Sequence, residues 1–315
     1  MTVAPLFKEG WFRIFDIRQR SLRTVVEGLY SLGRFFARIK DILRVGKYDL
    51  YVFEHQAFPY APSFLERFAK ILNPHMLLEF DDAIYLTLLH KKKIPRLIRM
   101  SRHIIVGNNF LKDYVLQFNP HVMIIPTVLD TDRYQPKIEY RAHEKLNIGW
   151  VGLAYNLPYL QKLKGMLQKI GKEIGKFVVT VISSQEFELA GVEVIFKQWS
   201  YDTEVQEIRS LDIGIMPLPD NEWAKGKCGL KVLQYMACGV PVVASPVGVN
   251  RKIIRDGENG FLAATDEEWL EKLSLLARDE ALRRRLGQKG RETVENHYSL
   301  RIWGPRLASL YKGLI

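Results

Sequence analysis

A basic segment that leads into a helical pattern carries the clearest chemistry in this chain. Residues 225–250 read KGKCGLKVLQYMACGVPVVASPVGVN. Gly229 lets the backbone approach a ligand closely, and Leu230 begins a helix whose unpaired N–H groups and dipole favour an anion. Lys227 and Lys231 flank that start and add two positive charges. The segment predicts a diphosphate site, and a helix start with two solvated lysines would show the same pattern.

The spacing within this helix separates a polar face from a packing face. Lys231 and Gln234 lie three residues apart, so both side chains can reach one ligand. Leu230, Leu233 and Ala237 fall together at helical spacing, which predicts that they pack against the core.

Candidate acid–base residues follow two apolar strand patterns in the first half of the chain. Asp81 and Asp82 come after residues 76–80, and His55 comes after residues 49–53. A carboxylate or an imidazole at a strand end can orient a substrate hydroxyl or remove its proton. Adjacent carboxylates on an extended segment point to opposite sides, so we expect one of the two to face a substrate. A loop brace or a structural histidine is the alternative interpretation.

The pattern Asp130-Thr131-Asp132 is typical of a metal site, but two carboxylates two residues apart also occur in ordinary turns. We favour the turn, and we predict no obligatory metal and no cofactor. The two cysteines exclude a disulfide scaffold and any zinc site built on several cysteines, which suits a reduced, cytoplasmic setting.

Short apolar runs alternate with helical patterns along both halves of the chain, which predicts an α/β fold with parallel, doubly wound sheets. The length of 315 residues favours two domains. We place a first domain at 1–143, a second at 144–299, and a terminal helix at 300–315 that packs back on the first domain. Ligands bind at the carboxyl ends of strands in such folds, so the candidate residues are expected to line a cleft between the two sheets.

Several segments in this order resemble the family-4 glycosyltransferases, which are retaining enzymes with the two-domain GT-B fold. The most specific is LQYMACGVPVVASPVGVN, which is similar to the donor-site signature of that family. The other matches are GWVG at 149–152, IRDGENGFL at 254–262, FDDAIY at 80–85, IVGNNFL at 105–111 and PTVLDTDRY at 126–134.

The resemblance implies transfer of a sugar from a nucleotide diphospho-sugar, with retention and without a metal. It implies an acceptor that is a lipid-linked or cell-envelope glycan, bound near the candidate residues Asp81, Asp82 and His55. The donor residues that it implies are Gly152, Lys227, Gly229, Leu230, Lys231 and Gln234.

The chain departs from the family pattern at the donor site and at its start. Gly226 and Gln234 stand where many members carry two glutamates, of which the first contacts the donor sugar and the second the ribose. Members usually open with a strand, a glycine-rich loop and a helix, and these are expected to be missing before MTVAPLF. A non-catalytic sugar-nucleotide-binding paralogue is therefore the alternative function. A sugar-nucleotide epimerase is a weaker alternative, because the segment YMACG–PVVAS argues against it.

The net charge of +11 lies mainly in the first half, where 22 basic residues face 14 acidic ones. Residues 11–48 mix arginines and lysines with aromatic side chains, and residues 91–102 add six basic residues without an acid. This pattern is typical of contact with an anionic membrane surface, although a solvated basic surface has the same composition. No pattern typical of nucleic-acid binding is present, and residues 1–12 lack the features of a signal peptide. We expect a cytoplasmic protein at the inner face of the membrane.

Overall fold

The computed structural model describes residues 33, 35–58, 62–88, 90–140 and 145–315. The chain divides into two compact units. Unit 1 comprises the described residues up to Phe80 with Ile84–Ile124 and Leu310–Ile315, and unit 2 comprises Asp81–Ala83 with Ile125–Ser309.

This division differs from the predicted boundary after residue 143. Residues from Ile125 onward belong to unit 2, because Leu129 and Tyr134 are buried in its core. Asp81–Ala83 also belong to unit 2, although they continue a strand of unit 1. The last six residues, Leu310–Ile315, belong to unit 1. The predicted absence of a first strand, loop and helix concerns residues outside the described part of the chain.

Unit 1 is built on a parallel sheet of four described strands in the order β1-β2-β3-β4. Residues 35–43 form a helix before the first strand. The elements that follow are β1 (Tyr51–Glu54), α1 (Phe64–Leu72), β2 (Met76–Phe80), α2 (Lys93–Met100), β3 (His103–Val106), α3 (Asn109–Leu116) and β4 (Val122–Ile124).

Unit 2 is built on a parallel sheet of six described strands in the order β10-β9-β8-β5-β6-β7. The first half contains β5 (Leu146–Val151), α4 (Leu157–Gln161), α5 (Lys164–Ile174), β6 (Phe177–Ser183), β7 (Val194–Gln198), α6 (Glu204–Arg209) and β8 (Ile213–Met216). The second half contains α7 (Glu222–Gly226), α8 (Leu230–Ala237), β9 (Val242–Ala244), α9 (Asn250–Ile253), β10 (Phe261–Leu262), α10 (Asp266–Arg278), α11 (Glu280–His297) and α12 (Leu300–Leu314).

The predicted α/β fold with parallel sheets is confirmed in both units. Strand β2 has the predicted bounds, 76–80, because its apolar residues are buried in the sheet. The sequence pattern of residues 157–174 predicts one helix, but the segment forms two, α4 and α5. The break falls where the N–H of Leu163 donates to the carbonyl of Leu160, three residues back instead of four. In the described part of the chain, no helix is both long and apolar enough to cross a membrane.

A buried ion pair in unit 1 braces the loop that carries His55. The Lys93 Nζ lies 2.7 Å from the Glu66 Oε1, and both side chains are almost fully buried. The same Glu66 oxygen accepts the N–H of Ala57 at 3.1 Å, and Lys93 donates to the carbonyl of Phe58 at 2.6 Å. The pair thus joins α1 and α2 to the chain just after β1.

We expect Glu66→Gln to destabilise unit 1 by about 3–5 kcal/mol, because it leaves the Lys93 charge buried without a partner. Hydrogen exchange of unit 1 peptides over a urea series measures the loss. The matched control is Glu292→Gln, which breaks the exposed pair with Lys289 and is expected to cost unit 2 less than about 1 kcal/mol. Equal losses for the two variants would contradict the assignment of a buried, structural pair.

Candidate functional site

The candidate site lies in unit 2, where the direction of strand order reverses. Strand β5 pairs with β6 on one side and with β8 on the other, so the chain winds outward in both directions from this pair. Connections after β5 and β8 therefore leave to opposite faces of the sheet and open a crevice at the carboxyl ends of the strands. Gly152 follows β5, and the segment that leads to helix α8 follows β8.

The hydroxyl of Tyr235 bridges the two strands where they separate. Strands β5 and β8 are paired only at Ile148↔Ile213 and Gly149↔Gly214. Beyond that point, the Tyr235 hydroxyl accepts the N–H of Val151 at 2.9 Å and donates to the carbonyl of Ile215 at 3.3 Å. Burial raises the pKa of Tyr235, which keeps the hydroxyl protonated as a donor. Helix α8 is thereby fixed to the open end of β5.

Two glycines make this arrangement possible. A Cβ at Gly214 would lie 2.5 Å from the Tyr235 Cγ, so the tyrosine ring needs a glycine in strand β8. Gly229, directly before helix α8, has φ +78°, a left-handed conformation that favours glycine. Gly229 provides no side-chain cap, so the first N–H groups of the helix keep their capacity to bind an anion.

Lys231 lies one helical turn before Tyr235 and covers the end of β5. Its Nζ sits 4.3 Å from the centre of the Trp150 ring. A Cβ at Gly152 would come within 2.3 Å of the same Nζ, so the glycine leaves room for the ammonium group. Among the described residues, no carboxylate lies within ion-pair distance of Lys231. We call Gly152, Lys227 and Lys231 the lysine site.

The surroundings of Lys231 disfavour its charge. Burial, together with the smaller effect of the neighbouring Lys227 charge, lowers the pKa of Lys231 from its ordinary value of 10.5 to about 7. A cation held in this way over an aromatic ring, without a carboxylate, gains most from an incoming anion. The lysine site is therefore suited to a phosphate-like group.

Lys227 has a carboxylate partner at the entrance to the site. Its Nζ lies 3.7 Å from the Asp82 Oδ1, and the rings of Tyr155 and Trp223 are centred 5.8 Å and 5.7 Å away. Asp82 is partly exposed, and its charge contributes to the raised pKa of Tyr155 after the larger effect of burial. Asp82 is thus the predicted carboxylate that unit 2 brings to the lysine site.

The segment Asp81–Ala83 also explains why residue 226 is a glycine. A Cβ at Gly226 would lie 2.6 Å from the Ala83 Cβ and 2.8 Å from the Ala83 nitrogen. The Cys228 Sγ donates to the carbonyl of Asp81 at 3.0 Å. A side chain at 226 would displace this segment, so Gly226 and Asp82 are linked structurally.

The structure places Gln234 away from the lysine site, contrary to the predicted shared face with Lys231. Its Nε2 donates to the Tyr134 hydroxyl and to the Glu204 Oε1, both at 3.0 Å. Trp199 donates to the same Glu204 oxygen at 2.8 Å, so the amide belongs to a buried polar network. Residues three apart point about 60° away from each other around a helix, so Gln234 turns away from Lys231. Lys231 instead lies closer to the face of Tyr235, four residues later.

The packing face predicted for helix α8 is only partly correct. Leu233 and Ala237 are fully buried, but Leu230 is 46% exposed because it opens the helix at the edge of the crevice. The contribution expected of Leu230 to anion binding is therefore its main-chain N–H. That role remains a prediction.

His55 and the aspartates of the DTD pattern lie elsewhere. His55 belongs to unit 1, directly follows strand β1 and has φ +59°, an uncommon conformation for a residue other than glycine. Asp130 accepts the N–H of Asp132 at 3.0 Å, and Asp132 forms an ion pair with Arg301. These contacts are those of the predicted turn, and independence from metals stays a prediction.

Sequence patterns do not identify the residues that hold the lysine site together. From the sequence alone, Tyr235 and Trp150 would be predicted to be core residues, and nothing singles out Tyr155 or Trp223. In the structure, Tyr235 and Trp150 are buried, and the rings of Tyr155 and Trp223 lie near Lys227. The available signal was Gly214 within the strand pattern DIGIM, since an isolated glycine in a strand indicates that another group approaches closely.

The fold is that of the GT-B glycosyltransferases, as two solved structures show. Anabaena HepE, in complex with UDP and glucose, superposes with a TM-score of 0.69 at 13% identity, over 88% of this chain and 81% of that chain. Sucrose-phosphate synthase from Thermosynechococcus elongatus superposes with a TM-score of 0.67 at 15% identity, over 90% of this chain and 78% of that chain.

The sequence comparisons agree with this fold class. Residues 146–279 match the family model described as Glycosyl transferases group 1. An uncharacterized glycosyltransferase of Methanocaldococcus jannaschii is 30% identical over 126 residues, which are 39% of this chain and 32% of the relative. The chain thus spans about a third of that relative. The resemblance to GT-B glycosyltransferases is confirmed, while membership of the retaining family 4 stays a prediction.

The lowered pKa of Lys231 gives a direct test of the site. We expect its dimethylated side chain to titrate near pH 7 in ¹H–¹³C NMR, with the resonance assigned by its loss in Lys231→Arg. The ammonium form exists below that pH and is lost above it. Lys227→Gln should raise the Lys231 pKa by removing the neighbouring charge, whereas the control Lys169→Gln should not. A Lys231 resonance that titrates near 10.5 would contradict the geometry.

Proposed function

We propose that this chain transfers a sugar from a nucleotide diphospho-sugar to an acceptor hydroxyl. The observation that carries the proposal is Lys231, which lies over Gly152 and Trp150 at the start of helix α8 without a carboxylate partner among the described residues. Such a cation is arranged for a ligand that brings its own negative charge. A diphosphate fits, because it can contact both lysines and the helix N–H groups together.

The lysine site would act mainly on the leaving group. When the bond between sugar and diphosphate breaks, negative charge grows on the diphosphate oxygens. We propose that this charge is stabilised by Lys227, Lys231 and the N–H groups after Gly229. These groups already lie in place, so they need not reorganise during the reaction. An anion bound beside Lys231 would also raise the pKa of the lysine, so the bound state keeps the ammonium form.

On the acceptor side, we assign Asp82 the role of orienting the hydroxyl or accepting its proton. Its carboxylate is partly exposed and is held 3.7 Å from the Lys227 Nζ, beside Tyr155. The main-chain carbonyl of Asp81 accepts from the Cys228 Sγ. We assign no specific role in the reaction to the Asp81 side chain. His55, with its unusual backbone conformation in unit 1, is a second candidate for contact with the acceptor.

The proposed donor and the proposed acceptor rest on different support. The solved HepE structure contains UDP and glucose, which supports a nucleotide-sugar donor for this chain. We infer retention of configuration and independence from metals from the family resemblance, and full transfer in excess chelator would test the second point. The acceptor is proposed to be a lipid-linked or cell-envelope glycan, reached by a cytoplasmic protein at the inner face of the membrane.

A second candidate is a sugar-nucleotide-binding protein without transferase activity. The observation that favours it is that neither position 226 nor position 234 offers a carboxylate to a ligand. Gly226 packs against Ala83, and the Gln234 amide donates into a buried network. Nucleotide binding without release of UDP from UDP-sugars, with a panel of acceptors, would favour this candidate.

We expect Lys231→Ala to weaken UDP binding about 10- to 100-fold, since it removes a charge-assisted contact to phosphate. Gly152→Ala should weaken binding by at least about tenfold, because its Cβ displaces the ammonium group. Isothermal titration calorimetry measures both losses.

Gly165→Ala is the matched control, since no atom lies within 4 Å of a Cβ built there. It should leave the affinity unchanged and the thermal midpoint equal or slightly higher. Wild-type affinity in Gly152→Ala and Lys231→Ala would refute the assignment of the lysine site to the diphosphate.

A further inference from the structure

Two helical segments of unit 1 expose apolar side chains in regular stripes. In helix α1, Phe64, Phe68 and Ile71 recur at helical spacing on one face, and Ile71 is 79% exposed. Leu65 and Ala69 on the opposite face are buried in unit 1. A helix that already packs on one side thus shows a second apolar face to its surroundings.

The helix at 35–43 repeats this pattern. Phe36 and Leu43 are 60% and 57% exposed, and Lys40 lies between them at the same helical spacing. The buried side chain of this helix is Ile42. Together with the stripe of helix α1, these residues form what we call the basic–apolar surface.

The two stripes converge at their ends. A Cβ at Gly46 would lie 3.3 Å from the carbonyl oxygen of Leu72, the last residue of helix α1. Asn73 donates from its Nδ2 to the carbonyls of Val45 at 3.0 Å and Tyr48 at 2.7 Å. The turn after the first stripe is therefore joined to the end of the second, within unit 1.

Most of the charges around the stripes are positive, although the exposed Asp49 follows Lys47 by two residues. Lys40, Arg44, Lys47 and Arg67 are exposed. Among the described residues of 35–48 and 62–72, the two acids are Asp41, which is half-buried, and Glu66. Glu66 is fully buried and paired with Lys93, so it does not offset the cations at the surface.

We propose that the basic–apolar surface binds an anionic lipid bilayer, with Phe64, Phe68 and Ile71 entering the interface and the four cations contacting lipid phosphates. Phenylalanine and aliphatic side chains interleaved with lysine and arginine are typical of segments that lie in a membrane interface. Lysine is instead depleted in protein–protein interfaces, so Lys40 and Lys47 argue against a protein partner here. The surface belongs to unit 1 and the lysine site to unit 2, and lipid binding needs no sugar transfer.

Vesicle co-sedimentation tests this proposal with two variant pairs. Vesicles of POPC and POPG at 7:3 should bind the chain more tightly than POPC alone. Phe68→Ser/Ile71→Ser should weaken binding to the anionic vesicles by at least about tenfold, because both side chains leave the interface. Arg44→Gln/Arg67→Gln should weaken it by about 25-fold, at about fivefold for each charge.

Matched controls come from unit 2. Ile138→Ser/Leu275→Ser removes two exposed aliphatic side chains, and Lys162→Gln/Lys169→Gln removes two exposed charges. Both should bind vesicles like the unaltered chain. UDP affinity, measured on every variant, should stay constant, so a failure of this proposal is distinguished from a failure of the proposed function.

Three outcomes would overturn the proposal. In the first, both test variants bind anionic vesicles as tightly as their matched controls do. Another is loss of binding in the charge pair alone, which would indicate a soluble polyanion. The third is a dimer, detected by light scattering, that Phe68→Ser/Ile71→Ser dissociates without affecting vesicle binding, which would assign the surface to a second copy of the chain.

Discussion

The hydroxyl of Tyr235 occupies the point at which the two halves of the unit 2 sheet separate. The ends of β5 and β8 are not hydrogen-bonded to each other by their backbones. The Tyr235 hydroxyl instead accepts the N–H of Val151 on β5 and donates to the carbonyl of Ile215 on β8. Without it, a buried N–H and a buried carbonyl would lack partners, at a cost of about 1–3 kcal/mol each. Because Tyr235 belongs to helix α8, the same bonds that close the sheet also fix the start of the helix above Gly152.

The electrostatics of the site follow from that position. Lys231 is carried one turn before Tyr235, half-buried over Trp150 and beside Lys227, with no described carboxylate within ion-pair distance. A lysine in these surroundings is a poor structural element and a good anion ligand, since its charge is stabilised only when a ligand arrives. The segment Asp81–Ala83 packs against Gly226 and brings a carboxylate to the other lysine, Lys227. The region that we propose for a leaving diphosphate thus lies beside the carboxylate that we propose for an acceptor hydroxyl.

The sequence pattern is sufficient to predict the α/β class, strand β2 and the helix that begins at Leu230. These features are local, since burial of a short run or a glycine before a helix is visible in the sequence. The orientation of Gln234 was not predictable, because its partners Tyr134 and Glu204 lie 100 and 30 residues away along the chain. Tyr235 was missed for the same reason, as its role depends on where β5 and β8 part in space. The glycine at 226 looked like a lost function in the sequence, and the structure gives it a packing reason in Ala83.

We infer that Tyr235 makes the anion site by holding Lys231 in place. A double-mutant cycle on UDP affinity tests it most directly, with Tyr235→Phe, Lys231→Ala and the double variant compared by calorimetry. We expect Tyr235→Phe to weaken UDP binding in the presence of Lys231 and to have no further effect once Lys231 is alanine. Additive losses, or full affinity in Tyr235→Phe, would contradict it.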